Sequence, residues 1–241
     1  MDGHDYETGL AIVRNNYRMY AGLRTRQYRY YIDRVSPAEG QEAAFKAVQA
    51  FEDGFIDGDN PVGLLLVGGV GSGKTFMVSS VANSIIDAME ISEDEAENAE
   101  AKSSAKGYGY WWNSNRRVQF ISVVELVNQL KACFDKKGSE DISGLIMDKL
   151  REVDLLILDD MGAEKSGDWV SEILFKIIDY RYNEELPLLV TTNCVPEELK
   201  KQIGSRNFDR LREMCALVTV KAKSQRPTAK TIEETEQLFQ A

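Results

Sequence analysis

The octapeptide GGVGSGKT at positions 68–75 constrains this chain more than any other stretch of it. It fits G-x-x-x-x-G-K-[ST]. Its setting matters as much as its letters, because the apolar run at 63–67 reads as a buried strand and 74–89 reads as a helix. A glycine-rich turn between strand and helix lets successive backbone N–H groups converge. The helix N-terminus adds the positive end of its dipole, so the turn is suited to phosphate. The expectation is that Gly68, Gly69, Val70, Gly71, Ser72 and Gly73 wrap the phosphates of ATP. Lys74 then reaches the β- and γ-phosphates, and the Thr75 hydroxyl binds Mg²⁺.

Further chemistry sits at the ends of other apolar runs. LLILDD at 155–160 places two acids at the carboxyl end of a strand, where ligands bind in open α/β sheets. Asp159 is expected in the Mg²⁺ shell, and Asp160 is expected to polarise the attacking water. LLVTTN at 188–193 ends in Asn193. This residue either contacts the γ-phosphate or lytic water, or belongs to a capping turn before Pro196. SRNFDRLREMC at 205–215 offers Arg206, Arg210 and Arg212. They form a solvated helix face or supply the positive charge that phosphoryl transfer requires, often from a neighbouring subunit. Arg226 is a second such candidate, from the same chain.

The remaining punctuation predicts strands at 118–121, 153–158 and 188–192. Helices are predicted at 37–53, with Ser36 as N-cap and Pro37 first, from Ser122 with Glu125 completing a capping box, at 169–182, and from Pro196. Strands alternating with helices predict an α/β fold, a parallel sheet with helices on both faces.

Residues 1–36 read differently. From Leu10 to Ile32 there are five arginines (Arg14, Arg18, Arg24, Arg26 and Arg29), no acid, and interleaved tyrosines. This basic arm either packs its tyrosines on the main domain or contacts a partner or nucleic acid. Residues 90–117 read as an insertion. Its acidic first part has a disordered composition. Its aromatic second part, with Tyr108, Tyr110, Trp111 and Trp112, either tucks against the domain or stacks on bases. Residues 227–241 read as a polar tail, which leaves 37–226 as the ATPase domain.

The net charge of −10 argues against coating nucleic acid by charge alone, though not against a local basic site. Cys133, Cys194 and Cys215 are odd in number and far apart, which predicts a reducing, cytoplasmic setting. No apolar run reaches the length of a membrane span. A small-molecule kinase would place an arginine-rich lid where this chain is acidic. A non-catalytic adaptor would not need Asp159, Asp160 and Arg210.

Taken in order, GGVGSGKT, LLILDDMG, TTN and SRNFDRLREMC resemble the AAA+ ATPases of the DnaC/DnaI helicase-loader and IstB transposition-helper group, over roughly residues 30–226. DDMGAEKSGDW and IDYRYNEELPLLVTTN look especially like the loader branch. The resemblance implies a P-loop sheet with a minimal or absent C-terminal lid. It implies a ring or spiral of identical subunits, single-stranded DNA, and a replicative helicase as partner. An IstB-like helper acting with a transposase is the alternative. Lys74 and Thr75 then match Walker A, Asp159 and Asp160 Walker B, and Asn193 sensor 1. Arg210 matches the arginine finger, with Arg206 on the same helix a weaker match, and Arg226 matches the sensor 2 arginine. Phe134, in LKACF, matches an aromatic position that contacts single-stranded DNA; core packing is its other reading. Loaders normally carry a separate helicase-binding domain before the ATPase region; here about 30 residues stand in that place, a departure under which helicase docking is expected only if the Arg/Tyr arm does it.

Overall fold

The computed structural model describes residues 3–97, 117–134, 140–164 and 167–226. The second part of the 90–117 insertion and the 227–241 tail, where a lid would begin, lie outside the described residues.

Five parallel strands form one sheet in the order β2-β3-β4-β1-β5: β1 Gly63–Gly68, β2 Val118–Ser122, β3 Leu155–Met161, β4 Leu188–Thr192 and β5 Cys215–Val220. Alternation along each strand sends side chains to two separate cores. On one face Leu64, Leu66, Val118, Phe120, Leu155, Ile157 and Leu189 pack with helices α1 (Gly3–Tyr20), α2 (Glu42–Ile56) and α3 (Lys74–Ala88). On the other, Leu65, Val67, Ile121, Leu156, Leu158, Leu188 and Val190 form the second core. Its helical partners are α5 (Val123–Phe134), α6 (Glu140–Glu152), α7 (Asp168–Asn183), α8 (Pro196–Ile203) and α9 (Ser205–Met214). The short α4 is Glu93–Glu97. Burial on both faces is why β1, β3 and β4 read as unbroken apolar runs rather than alternating ones.

Several sequence expectations are corrected. The helix expected from Pro37 begins at Glu42. Residues ahead of it are held elsewhere: Gly40 sits at φ +85° and its carbonyl accepts from Lys221 N, while Gln41 Oε1 accepts from Ala38 N. The third strand extends through both acids to Met161. Strand β5 was not anticipated. Ser122 caps α5 by accepting from Glu125 N at 3.2 Å, but the Glu125 carboxylate accepts from Gln129 rather than from the cap. Asp87, which opens the acidic run in the sequence, belongs to α3 and pairs with Arg14 and Arg18.

The arm is built into the domain. Val13, Tyr17, Ala21, Leu23 and Ile32 are buried in the first core. Arg18 is 7% exposed and donates to Asn83 Oδ1 and the Tyr31 hydroxyl. The arm also covers the outer edge of β2, where Phe120 N donates to Ala21 O and Gln119 Nε2 to the same carbonyl. An otherwise unpaired strand edge is thereby satisfied.

Opposite the carboxyl ends of the strands, Arg181 is fully buried. Its guanidinium donates to the carbonyls of Arg151, Val153, Asp154 and Pro187 at 3.2, 2.7, 3.0 and 2.6 Å. It ties the end of α6 and the entry to β3 to the entry of β4, and occupies carbonyls that a helix end leaves open.

Candidate nucleotide site

Strand β1 ends at Gly68 and α3 begins at Lys74, so the loop between them lies at the carboxyl edge of the sheet. Gly71 and Gly73 adopt φ of +79° and +100°. A Cβ on Gly73 would lie 2.6 Å from Gln41 Nε2, and one on Gly71 2.2 Å from Ser224 Oγ. Both positions therefore demand glycine, by conformation and by space. Gln41 Nε2 donates to Ser72 O at 2.7 Å, and Gln225 N donates to Gly71 O at 2.8 Å. The loop is thus braced from α2 on one side and from the segment after β5 on the other.

Lys74 is 4% exposed. Its ammonium donates to Gly68 O at 2.8 Å, Gly69 O at 2.9 Å and Asn193 Oδ1 at 2.8 Å. Burial pushes its pKa down, while Asp160 and Asp159 nearby push it back up. Thr75 Oγ1 lies 3.0 and 3.1 Å from the two oxygens of Asp159.

The two acids reach the same cleft through a bulge. Leu158 pairs with Val190 and Met161 with Thr192, so Asp159 and Asp160 together oppose the single residue Thr191. Asp160 takes a left-handed φ of +54°, uncommon outside glycine and tolerated best by Asn and Asp. Regular pleating would send consecutive side chains to opposite faces. Here both carboxylates line one cleft with Lys74, Thr75, Asn193 and Arg226. The Thr191 hydroxyl stabilises the bulge twice. It accepts from Asp160 N at 2.9 Å and donates to Asp159 Oδ1 at 2.6 Å. Burial raises the Asp159 pKa, against hydrogen bonds from Thr191 and Thr75 that lower it. Asn193 Nδ2 lies 3.4 Å from Asp160 Oδ1.

Oxygen ligands from a threonine and a carboxylate suit a hard cation such as Mg²⁺. Among the described residues no group of three or more His, Cys, Asp or Glu side chains could hold a metal. A cation at Thr75 and Asp159 would therefore complete its shell with phosphate oxygens and water.

Two of the expected residues are placed away from this cleft. Arg210 on α9 pairs with Asp179 of α7 at 2.6 Å and lies over the rings of Phe175 and Tyr182. Arg206 is exposed on the same helix. Phe134 ends α5, and its side chain is outside the described residues. Two site residues escaped the sequence reading. Thr191 stands within the TTN motif, whose only visible signal was a polar end to a strand. Gln41 carried no local signal.

The chain matches the model of the family described as "IstB-like ATP binding protein" over residues 112–232. It is 27% identical over 159 residues to the replicative helicase loader DnaI of Bacillus subtilis, covering 66% of this chain and 42% of that protein. It is 25% identical over 174 residues to the replicative helicase loader DnaC of Escherichia coli K12, covering 72% and 59%. The chain thus spans about half the length of these curated relatives. A crystal structure of the DnaC helicase loader superposes with a TM-score of 0.61 at 22% identity, covering 82% of this chain and all of that one. AMPPCP-bound DnaA from Aquifex aeolicus superposes at 0.58 and 18% identity, covering 81% and 51%. With the sheet and its glycine loop, these likenesses mean that the fold is that of the AAA+ P-loop ATPases and that the chain belongs to the IstB-like ATP binding family.

Proposed function

We propose that this protein hydrolyses ATP with Mg²⁺ and serves DNA replication as a helicase loader of the DnaC/DnaI kind, working with single-stranded DNA in the cytoplasm. The observation that carries the reading is the convergence of three strand ends on one cleft: Lys74 bonds Asn193, and Thr75 bonds Asp159.

Each group has a chemical task there. The loop amides and Lys74 bind the phosphates, the ammonium exchanging carbonyl partners for phosphate oxygens. Thr75 and Asp159 would hold Mg²⁺, which when bound would offset the negative charge of the phosphates. Asp160 lies beyond Asp159 along the bulge, where it can accept a hydrogen bond from the attacking water and orient it. Asn193 touches both Lys74 and Asp160, so it is placed to sense whether the γ-phosphate is present. Arg226 lines the same cleft and adds charge from its own chain. Arg210 does not line it, which supports action on a neighbour's nucleotide. Contacts of that head-to-tail kind close into rings or continue as spirals. Phe134 is assigned to single-stranded DNA on the resemblance alone.

The substitutions Lys74→Ala and Asp160→Asn test the reading. The first should abolish nucleotide binding. The second should retain it while turnover falls. Wild-type turnover in Asp160→Asn would remove Asp160 from the chemistry.

The match to the IstB-like family supports a second reading, an ATPase that delivers DNA to a transposase. Co-purification of the full chain with replicative helicase or with transposase separates the two.

A further inference from the structure

The arginines of the arm divide into two sets. Arg14 donates to Asp87 O, Arg18 is buried against Asn83, Tyr31 and Asp87, and Arg34 stacks on the Tyr31 ring. These three serve the fold. Arg24, Arg26 and Arg29 are exposed and form no ion pair with any described residue. They stand on one 3₁₀ turn, Thr25–Arg29, and its entry.

That turn is bolted to the helix that the glycine loop opens. Gln27 Nε2 donates to Ser79 Oγ at 2.8 Å, and Asn83 Nδ2 donates to the carbonyls of Gln27 and Tyr30. Ile32 N donates to Ser80 Oγ. Ser79, Ser80 and Asn83 are all fully buried on α3. Arg24, Arg26, Tyr30 and Phe76 line the same cleft as Lys74, Thr75 and Asp160, and so do Gln129 and Lys149. The cleft measures about 1010 Å³, at the upper end of what a single small ligand occupies.

We propose that Arg24 and Arg26, with the rings of Tyr30 and Phe76 beside them, form a lip that seats the phosphate backbone of single-stranded nucleic acid at the mouth of the nucleotide cleft. Exposed cations along a turn, interleaved with aromatic faces, are what an unpaired strand requires: charge for the backbone and π surface for the bases. A duplex keeps its base faces stacked and could not use the rings. Three carboxylates, Glu125, Asp159 and Asp160, line the same cleft, and the chain as a whole is acidic, so the strand is confined to this lip. Because the turn is hydrogen-bonded to α3, the helix that the glycine loop opens, occupancy of the lip would bear on Lys74 and Thr75. The proposal rests on the reading of the protein as an ATPase that works with single-stranded DNA.

The test compares the full-length wild type with Arg24→Ala/Arg26→Ala. Anisotropy of a labelled oligothymidylate is followed across a salt series, with AMPPCP and Mg²⁺ present. AMPPCP affinity is measured separately without DNA. Two lost phosphate contacts should lower the salt slope by about 1.4 and weaken binding about 25-fold at 0.1 M salt. AMPPCP affinity should be unchanged, which also shows the variant folded. An unchanged slope and affinity would overturn the proposal. So would an equal loss of AMPPCP affinity, because the cations would then serve the nucleotide. Retained DNA binding with lost capture of the helicase would assign the lip to a protein and overturn it too. A wild type that binds no oligonucleotide would sink both this proposal and the DNA role it rests on.

Discussion

Replacing Thr191 by valine keeps the shape of a fully buried side chain and deletes one hydroxyl. That hydroxyl donates to the Asp159 carboxylate at 2.6 Å and accepts from Asp160 N at 2.9 Å. A hydrogen bond to a charged group contributes about 1.5–3 kcal/mol, and a buried N–H left without a partner costs about 1–3 kcal/mol. The expected loss is therefore about 2.5–6 kcal/mol, a large share of a domain's typical ~5–15 kcal/mol. Urea unfolding at constant m reads it directly. The pH dependence carries a sign. Burial already raises the Asp159 pKa, and the Thr191 bond is the largest influence lowering it, so the variant's Asp159 pKa rises further. A group with a raised native pKa favours the fold below its unfolded pKa, near 3.9 for aspartate, and this contribution is lost as pH rises through the native value. The deficit of Thr191→Val should be full at pH values well above the raised native pKa and shrink as pH falls through it, because the unfolded chains titrate alike and the variant's native Asp159 takes up its proton first. ATPase activity should need more Mg²⁺, and its acid limb should move to higher pH. A deficit under about 0.5 kcal/mol, the level of an ordinary surface change, would refute the reasoning. So would a deficit that grows toward acid.

Three further outcomes are expected. Arg210→Ala subunits should bind ATP normally and hydrolyse it ~10³-fold or more slowly. Mixed with Lys74→Ala subunits they should regain activity that neither variant has alone, and mixed assemblies without activity would place Arg210 in cis or in the fold. Arg181→Lys cannot span its carbonyls with a single ammonium, and with two or more of them left unpaired, unfolding free energy should fall by about 2–5 kcal/mol; an unchanged urea midpoint would remove the clamp argument. Phe134→Ala should weaken single-stranded DNA binding by about 1–3 kcal/mol if a base stacks there, and unchanged affinity in the folded variant would leave Phe134 as packing.

The glycine loop, the strands β1, β3 and β4 and the order of motifs were legible in the chain because each is locally encoded. A strand buried on both faces must be apolar throughout, and a loop that bends through left-handed conformations must carry glycine there. Strand β5 was not legible, because it is a half-exposed edge whose pairing with β1 spans the whole domain. The start of α2 was misread because Gly40 and Gln41 answer to Lys221 and Ser72, distant partners that no local signal names.

The sequence by itself thus determined which residues could do phosphate chemistry, since loop, acids and polar strand ends are written in consecutive letters. Only the tertiary structure decided how they meet. The bulge opposite Thr191 turns two neighbouring acids into one cleft, a result of strand register rather than composition. The arm's arginines look alike in the chain. Packing against α3 commits Arg14 and Arg18 to Asp87 and leaves Arg24 and Arg26 facing the cleft, because burial and pairing are properties of the folded surface.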